Sequence, residues 1–415
     1  MTQWAPVWRV KIDGTDITDS VLANLSITSG RTNIYTQAQA GYCSVTLIIF
    51  GQAALPYEIN DTISIEVQDT SAAYVPIFGG SVVDIAVSVS QVGSSAYTQE
   101  VTITALGALA RLQKALTDGV LTQDFDGNQI ETILSAILFN QWQQVPAALQ
   151  WNTYDPTVQW QDAENNGYGE IDTPGNYELA QRASNRTVVY ELVAALATSG
   201  LGYLSENAQG QISYSDSTHR TTYLAANGYT DLTANHALGK GITIKTRAGD
   251  VRNDLTIKFG TLSANEVSDT DAASIAEYGD LAQIITTTIK HQADAEAQAA
   301  FYLALRAYPQ PIFDSITYAL TNPELDNADR DALINVFMGQ PIALNDLPPN
   351  MSAGVFQGFV EGWTFRASYN QLDVTLLMSP LAYSLQAMQW ADVPIVETWT
   401  SVSPTLDWAN ATIVS

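Results

Sequence analysis

Apolar and polar residues alternate with period two in several short runs over the first hundred residues: Val10 and Ile12; Val45, Leu47 and Ile49; Ile63, Ile65 and Val67; Val83, Ile85, Val87 and Val89; Val101 and Ile103. Successive strand side chains point to opposite faces, so each run predicts a half-buried strand. Turn pairs such as Asp13-Gly14 and Asn60-Asp61 separate them, which predicts an all-β sandwich or barrel over 1–117. From Asp124 the period lengthens. Ile130, Ile133, Leu134, Ile137 and Leu138 form one helical stripe, with Asp124 or Asp126 placed to accept from the free N–H groups at its start. A second helix is expected from Thr187, burying Val188, Val189, Leu192, Val193 and Leu196 and stopping at Gly200. Gly202-Tyr203-Leu204 and Gln211-Ile212-Ser213-Tyr214 then predict a hairpin around Asn207 to Gly210, so 118–236 reads as an α+β middle. Strand patterning returns at Ile242-Thr243-Ile244 and Leu255–Phe259. It is interrupted by a helix from Gln292 to Ala307, ended by Pro309, and resumes at Ile316–Leu320, Pro341–Leu344, Phe356–Phe365 and Asp373–Met378. The span 237–385 is thus expected to be a second β domain carrying one helix, and 386–415 an extended arm.

The two β domains read as copies of one design. Asp61-Thr62-Ile63-Ser64-Ile65 precedes Phe78-Gly79-Gly80-Ser81-Val82, as Gln340-Pro341-Ile342-Ala343-Leu344 precedes Phe356-Gln357-Gly358-Phe359-Val360. Val101-Thr102-Ile103 closes the first set and Val374-Thr375-Leu376 the second. Three matches in the same order imply duplication. Gly79-Gly80 has no helix behind it to offer phosphate-binding N–H groups and reads as a turn leading into a strand.

A second repeat lies in the tryptophans. Trp142, Pro146, Trp151, Pro156 and Trp160 match Trp390, Pro394, Trp399, Pro404 and Trp408 without a gap. A spacing of nine alternates faces on a strand or a helix, and the prolines break both, so these are extended arms with turns. An arm builds no core of its own, and its indoles pack along their own chain, cross to a neighbouring subunit, or bind carbohydrate. Residues 390 to 408 are the candidate subunit-interaction arm.

Composition narrows the classes. Lys and Arg total 17 against 43 acids, a formal −26 with no dense basic cluster, which disfavours specific nucleic-acid binding. The first residues lack a basic region followed by an apolar run, and no stretch of apolar residues is long enough to span a bilayer. The single cysteine, Cys43, sits in an alternating run and reads as core. His219, His236 and His291 have no partner at zinc-ligand spacing. Asp124-Phe125-Asp126-Gly127-Asn128 opens like a calcium loop but has Gln129 where the sixth position needs glycine, so it reads as a helix cap. No nucleophile elbow, phosphate loop or dinucleotide fingerprint occurs, and acidic pairs such as Asp162 with Glu164 are expected by chance. No enzyme and no cofactor is expected.

Other motifs run in order along nearly the whole chain: Asp16-Ile17-Thr18 to Val21, Ile27-Thr28-Ser29-Gly30-Arg31, Ala40 to Leu47, Asp126 to Ile130, Gly202-Tyr203-Leu204, Ala273 to Gly279, Val360-Glu361-Gly362 and Leu377-Met378-Ser379-Pro380. The succession resembles tail-tip or baseplate hub proteins of tailed bacteriophages, particularly minor tail proteins of long-tailed phages infecting actinobacteria. That resemblance implies a mainly β fold in which two tube-like β-sandwich or barrel domains flank a mixed insertion, plus the C-terminal arm. It also implies a homotrimer in the virion, at the tail tip, adapting a sixfold tube to a threefold tip around the DNA exit channel during genome ejection. The implied partners are the distal tail protein, the tape measure protein and other tail-tip or fibre proteins, with DNA passing unbound. Acidic residues lining such a bore would repel it. The competing reading is a glycan-binding or wall-degrading extracellular protein using the tryptophans as sugar platforms.

Overall fold

The computed structural model describes residues 4–17, 21–50, 55, 57–92, 96–139, 168–237, 244–246, 248–309, 311–313, 315–347, 354–368 and 370–380. The tryptophan segment at 142–160, Asp162, Glu164 and the arm with Trp390, Pro394, Trp399, Pro404 and Trp408 lie outside the described residues.

The first set of strands comprises β1 (Trp8–Ile12), β2 (Thr15–Asp16), β3 (Val21–Gly30), β4 (Tyr42–Phe50), β5 (Thr62–Gln68), β6 (Tyr74–Val92) and β7 (Ala96–Leu106). Alternation places Leu25, Ile27, Cys43, Val45, Leu47, Ile63, Ile65, Val101 and Ile103 on one buried face. The second set comprises β8 (Thr230–Thr233), β9 (Ile244–Thr246), β10 (Pro311–Phe313), β11 (Ile316–Ala319), β12 (Pro341–Asn345), β13 (Phe356–Ser368) and β14 (Gln371–Pro380). Its buried face carries Ile316, Tyr318, Trp363, Phe365, Val374 and Leu376.

The chain is mainly β, as expected, yet within one chain neither set closes into a barrel. Both sets join in one open twelve-stranded sheet, ordered β8-β12-β13-β3-β4-β7-β6-β5-β1-β2, with β14 between β13 and β11. The join is the antiparallel pairing of β13 with β3, from Gly362 opposite Gly30 to Ala367 opposite Leu25. β9 and β10 form a separate two-stranded pair.

Three local expectations are corrected. Gly79 and Gly80 lie inside the nineteen-residue β6, not in a turn before it. A Cβ on Gly79 would meet the backbone of Gln209 and Gly210, so glycine is needed there to admit the 207–210 turn. Among the described residues the second β region carries three α-helices: Gln292–Arg306, Ala272–Tyr278 and Asn327–Ile334. The two short helices are both capped by aspartate, Asp271 accepting from the Ser274 N–H and Asp326 from the Asp329 N–H. Leu255–Phe259 belongs to a separate three-stranded sheet with Asn265–Thr270 and Ala282–Thr286, against which the Gln292–Arg306 helix packs.

The middle follows its pattern except at Val188, which is a half-buried residue of a short strand ahead of the helix and not part of its buried side. Helix Val189–Ser199 buries Val189, Leu192, Val193 and Leu196 and ends at Gly200. The hairpin forms from Tyr203–Glu206 and Ile212–Ser215.

Candidate assembly interface

The duplication extends from sequence to hydrogen-bond register. Ile65 faces Phe78 and Ile63 faces Gly80 between β5 and β6; Leu344 faces Phe356 and Ile342 faces Gly358 between β12 and β13. The Val82 N–H donates to the Asp61 carbonyl, and the Val360 N–H to the Gln340 carbonyl. The register against the following strand shifts between Val82 and Asp84 in one copy and between Val360 and Gly362 in the other, a bulge at the same place. Thr46 and Thr102 share a hydroxyl contact of 3.1 Å on β4 and β7, and Thr317 and Thr375 one of 2.8 Å on β11 and β14. The copies diverge at the outer edge, where β1 runs antiparallel to β5 but β8 runs parallel to β12.

The conserved geometry explains the Phe-x-Gly pattern. A Cβ on Gly80 would collide with the Leu106 carbonyl, and one on Gly358 with the Ser379 carbonyl, each beside its own phenylalanine ring. Gly80→Ala and Gly358→Ala are therefore expected to cost about 1–3 kcal/mol each through overpacking. Denaturant midpoints check this, and a neutral result in either copy would break the equivalence.

Four of the short motifs converge where the copies meet. The carboxylate of Glu361, on β13, accepts from Arg31 Nε at 2.6 Å and from Arg220 Nη1 at 2.7 Å and Nη2 at 3.0 Å. The Ser379 hydroxyl donates to it at 2.5 Å, and the Arg31 N–H donates to the Glu361 carbonyl at 2.8 Å. Arg220 also lies over the rings of Tyr203 and Phe359, 4.5 and 5.1 Å from their centroids. Gly30 and Gly362 face each other beside this cluster, each so close to the opposite backbone that a Cβ would collide. Burial alone would raise the Glu361 pKa, but the guanidinium groups of Arg220 and Arg31 outweigh it and hold the group at about 2. Gly30-Arg31, Gly202-Tyr203-Leu204, Val360-Glu361-Gly362 and Ser379 were each visible as strand or turn motifs. Arg220, in helix His219–Asn227, gave no such signal.

Glu206 ties the hairpin to the first strand set. Its buried carboxylate accepts from the Gly41 N–H at 2.5 Å and the Leu109 N–H at 2.9 Å. Burial pushes it up to about 7, with the two N–H donors pulling the other way. Its folded pKa lies above that of an unfolded carboxylate, so its stabilising contribution is complete at low pH and is lost as pH rises through about 7. Relative to Glu206→Gln, the wild type is expected to lose roughly 2–3 kcal/mol between about pH 5 and about pH 8. Parallel denaturation curves would contradict this.

The remaining candidates take local roles. Asp126 does not cap its helix through the free N–H groups. It is buried, and it accepts from the Asn176 and Tyr177 N–H groups at 2.8 Å and from the Tyr214 hydroxyl. Asp124 accepts from the Phe125 N–H and Asn128. His219 lies 2.8 Å from Asp172 and His291 2.6 Å from Glu178. Among the described residues no three His, Cys, Asp or Glu side chains converge as a metal site would need.

The face of the large sheet opposite the core is lined with hydroxyls. Thr317, Thr375, Thr364 and Thr28 lie side by side across the join, and Ser26, Ser44 and Thr104 form a neighbouring row. The charges there are mixed: Arg366 faces Asp373, Arg9 and Lys11 both pair with Glu66, and the exposed carboxylates of Asp84, opposite Thr104, and Glu100, opposite Ser88, stand on the same face.

This architecture of two joined strand sets around a mixed middle is shared with solved tail proteins. The 43 kDa tail protein of prophage MuSo2 from Shewanella oneidensis matches over 91% of this chain and 98% of its own, with a TM-score of 0.56 and 10% identity. The tail protein from Neisseria meningitidis MC58 matches over 92% and 98%, with a TM-score of 0.59 and 10% identity. No family model and no curated protein sequence matches the chain.

Proposed function

We propose that the chain is a structural protein of a bacteriophage tail, the hub of its baseplate or tail tip, and that three copies form a ring joining a sixfold tube to a threefold tip. The observation that carries this reading is the register-level equivalence of the two strand sets. One chain presents the same module twice, so three chains present six similar modules around one axis, and symmetric closure is the usual fate of such repeated contacts. The fold shared with tail proteins supports the same reading.

Helices and the middle region cover one face of the sheet, which leaves the hydroxyl-lined face for the channel. Such a wall offers phosphate few cationic partners, and its exposed carboxylates Asp84 and Glu100 add like-charge repulsion, so DNA slides past without forming ion pairs. Companion tail proteins, including a distal tail protein, a tape measure protein and fibres, would meet the ring at its rims. Native mass spectrometry tests the stoichiometry: a particle of three times the 44.9 kDa chain is expected, and a particle of six chains or a lone chain would contradict the proposal.

A further inference from the structure

Among the described residues, the equivalence of the two copies exposes one edge that is covered in the second copy and bare in the first. On β13, the edge shared with β12 continues past the bulge and is covered by β3, from Gly362 to Ala367. Phe356 aligns with Phe78, so the matching stretch of β6 is Asp84 to Val89. Among the described residues no strand lies against that edge of β6 beyond Val82. The side chains record the difference. Trp363, Phe365 and Ala367 are 5%, 1% and 3% exposed, whereas Val87 and Val89, in the places of Phe365 and Ala367, are 49% and 56% exposed. Natural sheet edges are guarded by lysine, proline or short length, but Ile85 to Gln91 contains no charge and no proline within a nineteen-residue strand.

The complementary edge is also present. β3 takes β13 on one side and β4 on the other. Thr46 aligns with Thr317, and counting back sets Phe313 in the place of Tyr42. Ile244 pairs with Phe313 as Thr28 pairs with Tyr42, so β9 is the second copy's β3. Among the described residues β9 pairs with β10 alone. Arg247 follows Thr246 in sequence as Arg31 follows Gly30.

We infer that the bare edge of β6 at Asp84–Val89 is completed by β9 of a second copy of this chain. The pairing is antiparallel, with Asp84 opposite Thr246, Ile85 opposite Lys245 and Ala86 opposite Ile244 of the neighbour. It repeats between chains the join that β13 and β3 make within one chain, and it deepens the ring reading on which it rests by naming the strands that meet. Among the described residues each chain offers one bare β6 edge and one bare β9 edge, a head-to-tail contact that propagates until it closes.

The bond from the Arg31 N–H to the Glu361 carbonyl sets the phase of the intrachain join, because hydrogen-bonded positions alternate along an antiparallel pair. Thr28 and Thr364 are then a non-bonded pair, with Cα atoms about 4.5 Å apart, a separation that accepts a disulfide. Ala86 and Ile244 take those places across the chain boundary. The N–H of Val87, like that of Phe365, points to the edge.

Cysteine cross-linking tests the pairing. Ala86→Cys with Ile244→Cys, in a Cys43→Ser background, is expected to give covalently linked chains as the main oxidised product on non-reducing gels. Either single variant is expected to give none. Val87→Pro removes an edge-facing N–H and fixes φ, which an edge strand tolerates, so it is expected to keep the thermal transition of the isolated chain while abolishing the particle. A three-chain particle in native mass spectrometry that stays unlinked in the double variant, or that still forms with Val87→Pro, would overturn the pairing and leave the ring standing. Absence of any particle from the wild type would overturn both.

Discussion

Glu361→Ala is expected to lower the unfolding free energy by about 3–5 kcal/mol, the largest effect of any single substitution in the described structure. The carboxylate is 2% exposed and stands between two guanidinium groups whose side chains are also almost fully buried. Removing it leaves Arg31 and Arg220 as like charges in a low-dielectric site, with the Ser379 hydroxyl unpaired. Because the cluster joins β3, β13 and the helix carrying Arg220, the loss falls on the contact between the two copies. Glu361→Gln keeps the shape but not the charge and is expected to lie between wild type and alanine. The pH dependence has a definite sign: a carboxylate held at about 2 stabilises the fold above the ordinary carboxylate range and ceases to do so as pH falls through about 2. Urea midpoints at neutral pH check the magnitude. A shift of less than about 1 kcal/mol would show that the pair merely offsets its own desolvation.

Asp126→Ala ranks second, at about 3–4 kcal/mol. Three donors lose their acceptor at once: the Tyr214 hydroxyl, buried in the hairpin, and the backbone N–H groups of Asn176 and Tyr177. Gly175 and Gly200 crowd the same carboxylate so closely that neither position admits a Cβ, so water has little room to replace the lost acceptor. Burial raises the Asp126 pKa while the Tyr214 hydroxyl and the backbone donors oppose it. Asp126→Asn retains one acceptor oxygen and is expected to lose about half as much. Loss of near-ultraviolet tyrosine dichroism together with the midpoint shift would place the damage at the hairpin, and an unshifted midpoint would refute it.

Much of the fold was legible because burial imposes period two on strands and 3.6 on helices. Leu25, Ile27, Val45 and Leu47 on one side of the sheet, and Leu192, Val193 and Leu196 on one side of a helix, follow from spacing alone. The duplication was legible for a related reason. The Phe-x-Gly-x-Val unit sits at a bulge where backbone crowds backbone, so glycine and its flanking residues recur in both copies. Long-range polar pairing was not legible. Nothing local to Glu361 announces Arg31, distant in the chain, or Arg220 in a helix with few buried residues. Asp126 had the spacing of a cap or a calcium loop, and only the tertiary return of the chain at Asn176 and Tyr214 gives it another task. The join of β13 to β3 escaped for the same reason, since strand order across a sheet leaves no trace in periodicity.

A three-dimensional reconstruction of the assembled particle by electron microscopy tests the central claim most directly. The duplicated module predicts six similar lobes from three chains around one axis, the Phe78 and Phe356 regions occupying alternate and equivalent places, with the threonine rows facing the bore. Three lobes with the second strand set displaced from the ring, or six chains sharing it, would contradict the account.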